Sequence, residues 1–292
     1  MYEKIKYPAL NLSKELKLLK DAYLFACKKD IEVLKPGNVS LKSPHHDTSA
    51  HDYIESSIYS SHHLFNINYS LGERVFNSVK ATKKIVKTNT NLGIILLCAP
   101  IIHSLINYDN VSIRDSLETS INQSNGDDTL LISESINLAK PGGLGESMKY
   151  DTKSLPKINL MKIMQYSSKY DRISYQYAHK FTDIFDFIVP CIKFHRKYSR
   201  SYEHSLALTF LEILSKIPDS HISRKFGDKI SKKTSNEAND LLKILDKDDS
   251  WDLASKHLKS LDYEYKKKGI NPGTTADLLV AGLMVYKIFS SE

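Results

Sequence analysis

The chain has 292 residues, of which 41% are hydrophobic and 26% charged, a composition that excludes a disordered or fibrous protein. Its formal charge of +7 favours anionic partners without distinguishing nucleic acid from phosphorylated small molecules. The longest apolar run, 92–102, is well short of the roughly 20 residues that cross a bilayer, so no membrane partner is expected. Cys27, Cys98 and Cys191 are odd in number and far apart, which predicts free thiols in a cytoplasmic protein.

Apolar residues recur at three- and four-residue steps along most of the chain, and each such stretch predicts a helix. In chain order the predicted helices cover about 12–33, 48–64, 70–79, 91–102, two shorter stretches beginning near 112 and 127, 159–198 with a break at Pro190, 202–217, 222–245, 251–268 and 275–290. Residues 144–158 are predicted to form a loop. Helix starts are assigned to Asp47 or Thr48, Ser70 with Glu73, Ser112 with Asp115, Asp127 or Asp128, and Thr274 with Asp277.

No stretch alternates apolar and polar residues between hairpin turns, so a sheet is not expected. Neither a repeat period nor a flexible linker divides the sequence. We therefore predict an all-α fold, a single-domain multi-helix bundle over 1–292, with its functional site at helix N-termini and interhelical loops.

Glycine or proline lies beside clusters of polar side chains at four helix boundaries, where free backbone N–H groups and the helix dipole can hold an anion. Each boundary also has a purely structural interpretation, because a helix C-cap or N-cap needs some of the same residues. The boundaries are 35–40 with Lys35, Gly37 and Asn38; 88–93 with Asn89, Thr90, Asn91 and Gly93; 218–227 with Asp219, Arg224 and Lys225; and 271–277 with Asn271, Gly273, Thr274 and Asp277.

Two further segments carry weaker signals. His45-His46-Asp47 and His51-Asp52 contain metal-ligand types, but they are an incomplete set and fit a surface loop equally. The segment 142–146 is rich in glycine and ends at Glu146, yet it lacks the lysine of a phosphate-binding loop.

Taken in order, these segments resemble the triphosphoribosyl-dephospho-coenzyme A synthase family. The resemblance rests on KPGNVS at 35–40, HHD at 45–47, LGE at 71–73, TNTNLG at 88–93, GLGE at 143–146, DSHISRKFG at 219–227 and NPGTTADLL at 271–279. It implies an all-α enzyme in which the ribose 2′-hydroxyl of 3′-dephospho-coenzyme A attacks the anomeric carbon of ATP, releasing adenine. It also implies that Mg²⁺ accompanies the triphosphate.

The resemblance implies roles for the residues at the motif positions. Asp219 and Asp277 would be the catalytic or sugar-facing pair, and Asp47, Glu73 and Glu146 the ligands of Mg²⁺. The nucleotide would be bound by Lys35, Gly37, Asn38, Asn89, Thr90, Asn91, Gly93, Arg224, Lys225, Asn271, Gly273 and Thr274.

The chain departs from the family pattern at two places. Asn91-Leu92 stand where well-known bacterial members have a His-Lys pair, and Thr274 stands where they usually have a second glycine. The acceptor is therefore expected to be dephospho-coenzyme A or a related coenzyme.

Two other functions remain open from the sequence. A metal-dependent hydrolase of nucleotides or N-glycosides would release adenine from ATP without an acceptor. A non-catalytic nucleotide- or RNA-binding protein would leave ATP intact and bind less tightly as salt rises. The aromatic and basic motifs of RNA modules are absent, so nucleic acid is not the favoured partner.

Overall fold

The computed structural model describes residues 12–44, 48–108, 111–143, 157–198, 201–245 and 251–290. These residues form fourteen α-helices and no strand, which confirms the all-α prediction. The helices are α1 Leu12–Glu32, α2 Ala50–Leu64, α3 Leu71–Ile85, α4 Leu92–Asn107, α5 Ile113–Gln123, α6 Gly126–Ala139, α7 Leu160–Ser167, α8 Arg172–Ala178, α9 Val189–Tyr198, α10 Tyr202–Lys216, α11 Ser220–Phe226, α12 Asp228–Leu245, α13 Trp251–Lys267 and α14 Gly273–Phe289.

The centre of the bundle is formed by α4 and α14, whose residues are apolar on nearly every side. A helix of that composition is stable only when other helices cover it. Accordingly, α14 packs against α1, α4, α9 and α10, and all fourteen helices contribute to one cluster of buried apolar residues. Both central helices begin beside polar loops, so the core fixes where those loops meet. The assignment of one domain to 1–292 stays a prediction.

A π-helical segment, Asp183–Ile188, leads directly into α9. Gly282 of α14 lies against it, and a Cβ at Gly282 would overlap the Cγ2 atom of Ile188. The missing side chain thus allows the central helix to approach this segment closely.

Several predicted helix starts are confirmed and others are wrong. Ser70 with Glu73 forms a complete capping box, and Ser112 caps α5. Ser49 caps α2 in place of Asp47 or Thr48, and Asn125 caps α6 because Asp128 is its reciprocal partner three residues on. The predicted box of Thr274 and Asp277 does not form, since the N-cap of α14 is Pro272.

The predicted helical region 159–198 is interrupted at places other than Pro190. Pro190 lies in the first turn of α9, which continues from the π-helical segment Asp183–Ile188 without a break. The chain instead leaves the helix after α7 and again at Lys180 and Phe181, which have positive φ. The predicted helix 222–245 is likewise two helices, separated by Gly227 with φ of 86°. The predicted loop 144–158 lies almost entirely outside the described residues.

All three cysteines are buried free thiols, as predicted. Across the described ranges, every helix is too short or too polar to span a membrane.

Candidate active site

The starts of three helices meet at Ser220, the first residue of α11. Its hydroxyl oxygen accepts a hydrogen bond from the backbone N–H of Arg172 at the start of α8, at 3.2 Å. The same oxygen lies 3.1 Å from the Thr274 hydroxyl at the start of α14. Ser220 and Thr274 are both buried, so these polar contacts hold the three helix starts together.

Asp219 caps two of these helices. One carboxylate oxygen accepts from the backbone N–H of Ile222 at 3.0 Å and so caps α11. The other accepts from the backbone N–H and the hydroxyl of Thr275 at 2.7 and 2.8 Å, and so caps α14 from outside that helix. Asp219 is 2% exposed, and both of its oxygens are occupied. These contacts give it a structural role in the site.

Asp277 is placed differently. It is half-buried in the second turn of α14, and no donor among the described residues makes a hydrogen bond to its carboxyl group. It lies against Gly93 at the start of α4, where a Cβ would come within 2.5 Å of the Asp277 Cγ atom. The absence of a side chain at position 93 therefore allows the carboxyl group to take this position.

The electrostatic surroundings raise the pKa of Asp277 well above the usual value for an aspartate. Burial is the largest cause, followed by the negative charges of Asp30, Asp219 and Asp171, and Arg224 opposes them. We call Asp30, Asp171, Asp219 and Asp277 the carboxylate cluster. When like charges are held close together, one of them keeps its proton to a higher pH. In this cluster that group is Asp277.

Two side chains of α11, Arg224 and His221, also lie at the site. Arg224 donates to a carboxylate oxygen of Asp171 at 2.7 Å, and both side chains are about three-quarters buried. His221 lies between two glycines, with ring nitrogens at 2.9 Å from a Cβ placed on Gly273 and 3.6 Å from one placed on Gly142. Burial, Arg224 and Lys225 lower the pKa of His221, while Asp219 opposes them. The imidazole is therefore neutral at pH 7.

The loop 35–40 is joined to the loop before α14. The side-chain amide of Asn38 donates to the side-chain oxygen of Asn271, and Asn38 is buried. The backbone N–H of Gly37 donates to Asp262 of α13 at 2.8 Å. Gly37 has φ of 83°, and a Cβ there would lie 2.5 Å from the backbone oxygen of Ile270. The loop with Gly37 and Asn38 thus meets the loop with Asn271, although the two loops are more than 230 positions apart.

Lys35 is directed away from solvent. It is fully buried, its ammonium lies 3.1 Å from a carboxylate oxygen of Asp30, and it also donates to the backbone oxygen of Asp30. Burial raises the pKa of Asp30, and the Lys35 charge opposes that effect. A direct contact between Lys35 and a phosphate stays a prediction, which these contacts do not favour.

The segment 88–93 is anchored mainly to α2. Thr90 is 2.6 Å from the Ser56 hydroxyl, and Asn91 donates to the Ser56 backbone oxygen at 3.2 Å; both are buried. Asn89 is exposed, and its side-chain oxygen accepts a hydrogen bond from the Leu92 backbone N–H at 3.2 Å. Gly93 alone in this segment touches the carboxylate cluster. Nucleotide contacts by Asn89, Thr90 and Asn91 stay predictions.

The remaining predicted residues are spread more widely. Glu73 is exposed and accepts from the backbone N–H of Ser70 at 2.9 Å within the capping box. Lys225 is exposed, and its ammonium reaches the Gly269 backbone oxygen at 3.5 Å. Asp47 and Glu146 lie outside the described residues, so their role as metal ligands stays a prediction, as does that of Glu73.

Three residues of the site, Asp30, Asp171 and Asp262, were not predicted from the sequence, whereas His221 lies within the predicted segment 218–227. Asp30 had a signal, because it lies on the apolar stripe of α1 that includes Tyr23, Ala26 and Val33, where a carboxylate is unexpected. Asp171 and Asp262 had none, since their importance comes from partners more than 50 positions away.

Carboxylates and an arginine thus gather at helix starts in an all-α bundle, and a group of side chains with a perturbed pKa there marks a candidate site of an enzyme. Residues 17–292 match the CitG family, ATP:dephospho-CoA triphosphoribosyl transferase, and the chain belongs to this family. The chain is therefore a transferase, and its family's reaction moves the triphosphoribosyl group of ATP to dephospho-CoA. This confirms the resemblance seen in the motifs, and the hydrolase and binding-only alternatives are not favoured.

Among solved structures, a crystal structure from Archaeoglobus fulgidus, assigned as a triphosphoribosyl-dephospho-CoA synthase, is similar with a TM-score of 0.60 and 21% identity. The match covers 79% of this chain and 96% of that one. At this identity the likeness supports the fold. No curated protein matches the chain.

Proposed function

We propose that the carboxylate cluster binds the ribose of ATP and that Asp277 is the general acid that protonates the leaving adenine. One observation supports this most directly: Asp277 is half-buried with a raised pKa and no hydrogen-bond donor from the described residues. A carboxyl group whose pKa is raised by burial and by neighbouring carboxylates holds its proton to a higher pH and is suited to acid catalysis. Asp219, with both oxygens bound to backbone and hydroxyl donors, positions α11 and α14.

The reaction requires one bond to form and one to break at the anomeric carbon. The 2′-hydroxyl oxygen of the acceptor bonds to C1′ of the ATP ribose as the bond from C1′ to adenine N9 breaks. Asp277 gives its proton to the adenine, and the proton of the attacking hydroxyl restores the Asp277 carboxyl group. The transition state resembles an oxocarbenium ion, and the carboxylate cluster stabilises it because its acidic groups outnumber the two paired cations, Lys35 and Arg224.

The triphosphate needs cations and backbone donors. Arg224 uses only one terminal nitrogen for Asp171 in the described contacts, so its remaining N–H groups can donate to phosphate oxygens. Nucleotide contacts by Gly273 and Thr274 stay predictions, because the Thr275 N–H at the start of α14 already donates to Asp219 and His221 lies against Gly273. Lys225 lies on the exposed side of the same helix as Arg224 and can add a second positive charge.

Mg²⁺ would neutralise phosphate charge when bound with ATP. Among the described residues, the carboxylate cluster does not present three ligand atoms converging on one point, and two of its members are committed to Arg224 and to helix caps. Mg²⁺ typically takes one or two carboxylates and completes its shell with phosphates and water. Asp47, Glu73 and Glu146 remain the proposed ligands, and the role of Asp277 does not depend on them.

The activity can be tested with purified protein, ATP, Mg²⁺ and dephospho-coenzyme A, by measuring adenine and the triphosphoribosyl adduct by mass spectrometry. We expect both products only when the acceptor is present. Asp277→Asn should reduce adenine release by about 10²- to 10⁴-fold. Asp240→Asn is the matched control, because Asp240 is exposed and pairs only with Lys243 among the described residues. Adenine formed equally well without acceptor would favour a hydrolase, and near-normal turnover by Asp277→Asn would remove it as the acid.

A further inference from the structure

A second group of ligand-type side chains lies between α9 and α10 and shares no residue with the carboxylate cluster. Cys191 and His195 are four residues apart on α9, so both point to the same face of that helix. Glu212 projects from α10, which packs against α9. One ligand atom from each residue lies within 4.8 Å of the other two, and no other group of three meets this criterion in the described ranges.

We propose that Cys191, His195 and Glu212 form a zinc-binding site that joins α9 to α10. A thiolate, an imidazole and a carboxylate are the three ligand types that Zn²⁺ uses in proteins, and three protein ligands leave its fourth position for water or another molecule. The sulfur and nitrogen ligands exclude Mg²⁺, which requires oxygen ligands. This site goes beyond the proposed transferase function.

The distances require only small movements. Zinc bonds of about 2.0–2.3 Å place tetrahedral ligand atoms about 3.3–3.8 Å apart. His195 Nε2 and Glu212 Oε1 are now 2.8 Å apart, so they would separate by about half an ångström, which side-chain rotation allows. Cys191 would move inward from at most 4.8 Å. No helix has to shift for the three atoms to reach one ion.

The charges also fit a dication. Glu212 lies 2.8 Å from His195 and 3.3 Å from Lys216, so its carboxylate is held in place by basic groups. On binding, the Cys191 proton passes to solvent as a sulfur–zinc bond forms, and His195 coordinates through the Nε2 lone pair. The thiolate and carboxylate together then balance the two charges of Zn²⁺.

The neighbouring residues hold the ligand groups in place, and Thr209 shares a hydrogen bond with the Cys191 thiol. Lys216 donates to Glu212 Oε2 at 3.3 Å, so Oε1 remains for the metal and the carboxylate is held in position. Glu212 is 24% exposed whereas Cys191 and His195 are buried, so an ion can enter from the side of Glu212. An ion pair between His195 and Glu212 would not require a thiol close to both side chains, whereas a zinc site would use it as a third ligand.

The test uses the untagged full chain. Zinc content is measured by mass spectrometry of the purified protein, affinity by titration against a chromophoric chelator, and coordination from the absorption spectrum of the Co²⁺-loaded protein. We expect one zinc per chain and a thiolate-to-cobalt charge-transfer band. Cys191→Ser and His195→Gln should each weaken binding by at least about tenfold. Cys98→Ala, which alters a buried thiol outside the group, should leave binding unchanged.

Circular dichroism of each variant separates loss of metal from loss of fold. If Cys191→Ser does not fold, the cobalt spectrum of the unaltered protein and the affinity of His195→Gln decide the question. A substoichiometric zinc content that does not rise on titration, a cobalt spectrum without the thiolate band, or unchanged affinity in folded Cys191→Ser or His195→Gln would each overturn the proposal.

Discussion

Gly93→Ala tests whether the position of the Asp277 carboxyl group controls catalysis. The new Cβ would lie 2.5 Å from Asp277 Cγ, whereas carbon atoms in contact are about 3.5–4.0 Å apart, so the carboxyl must move by about 1 Å. A displacement of that size costs about 10²-fold in rate. This corresponds to about 2.7 kcal/mol of transition-state stabilisation. We therefore expect kcat/KM for adenine release to fall by about two orders of magnitude.

Stability should change little in Gly93→Ala, because alanine favours the helix by up to about 1 kcal/mol over glycine and partly offsets the displacement. Gly282→Ala is the contrasting variant: its Cβ overlaps Ile188 in the core, so we expect a loss of about 1–3 kcal/mol and normal turnover well below the melting temperature. Adenine release and thermal unfolding, measured on both variants, should separate the two effects. If Gly93→Ala kept a third or more of the normal kcat/KM, the carboxyl position would not matter and the reasoning would fail.

Three further outcomes follow from the contacts of the site. Asp219→Ala should lower stability by about 3 kcal/mol and the melting temperature by roughly 5–10 °C, because Thr275 and the start of α11 lose charged acceptors; an unchanged melting curve would contradict the capping role. Asp277 has a raised pKa in the folded state, so it contributes less to stability as pH rises above about 3.9, the value for the unfolded chain. Asp277→Asn should therefore melt higher than the unaltered protein at pH 7 and by a smaller margin at pH 4, and equal margins at both pH values would count against this. Lys35→Met should cost about 3–5 kcal/mol in thermal unfolding, because Asp30 loses its partner; an unchanged melting temperature would contradict that pairing.

The sequence predicted the helices well because their apolar periodicity is strong, and it predicted their ends less well. Ser70 with Glu73 was recognisable because both halves of the capping box lie within four positions. The start of α14 was misread for a physical reason. The side chain that accepts from its Thr275 N–H is Asp219, 56 positions before Thr275, and no local sequence pattern indicates such a partner. Gly227 was treated as helical because one residue of positive φ can divide an otherwise unbroken apolar pattern.

The candidate site was predictable where a motif and a close approach coincide. Gly37, Gly93 and Gly273 stand in recognisable motifs, and in the structure each faces a residue from a distant segment. The individual roles were less accessible. Lys35 had the appearance of a phosphate ligand, yet its ammonium neutralises Asp30. A cation in a loop can bind a ligand or pair with a buried carboxylate. Which of the two Lys35 does depends on the packing of α1, which apolar periodicity alone does not determine.

The two carboxylates Asp219 and Asp277 illustrate how the fold divides work between similar side chains. Asp219 receives hydrogen bonds from two helices, which fix its position. That fixed negative charge contributes to raising the pKa of Asp277. Because Asp219 caps α14 from outside, Asp277 is not needed as a capping residue and its carboxyl group remains available beside Gly93. Asp219 thus adds to the raised pKa of the proposed acid: if Asp219 lost its charge without disturbing the helices, the pKa of Asp277 would fall, and burial and Asp30 would still hold it above that of an ordinary aspartate.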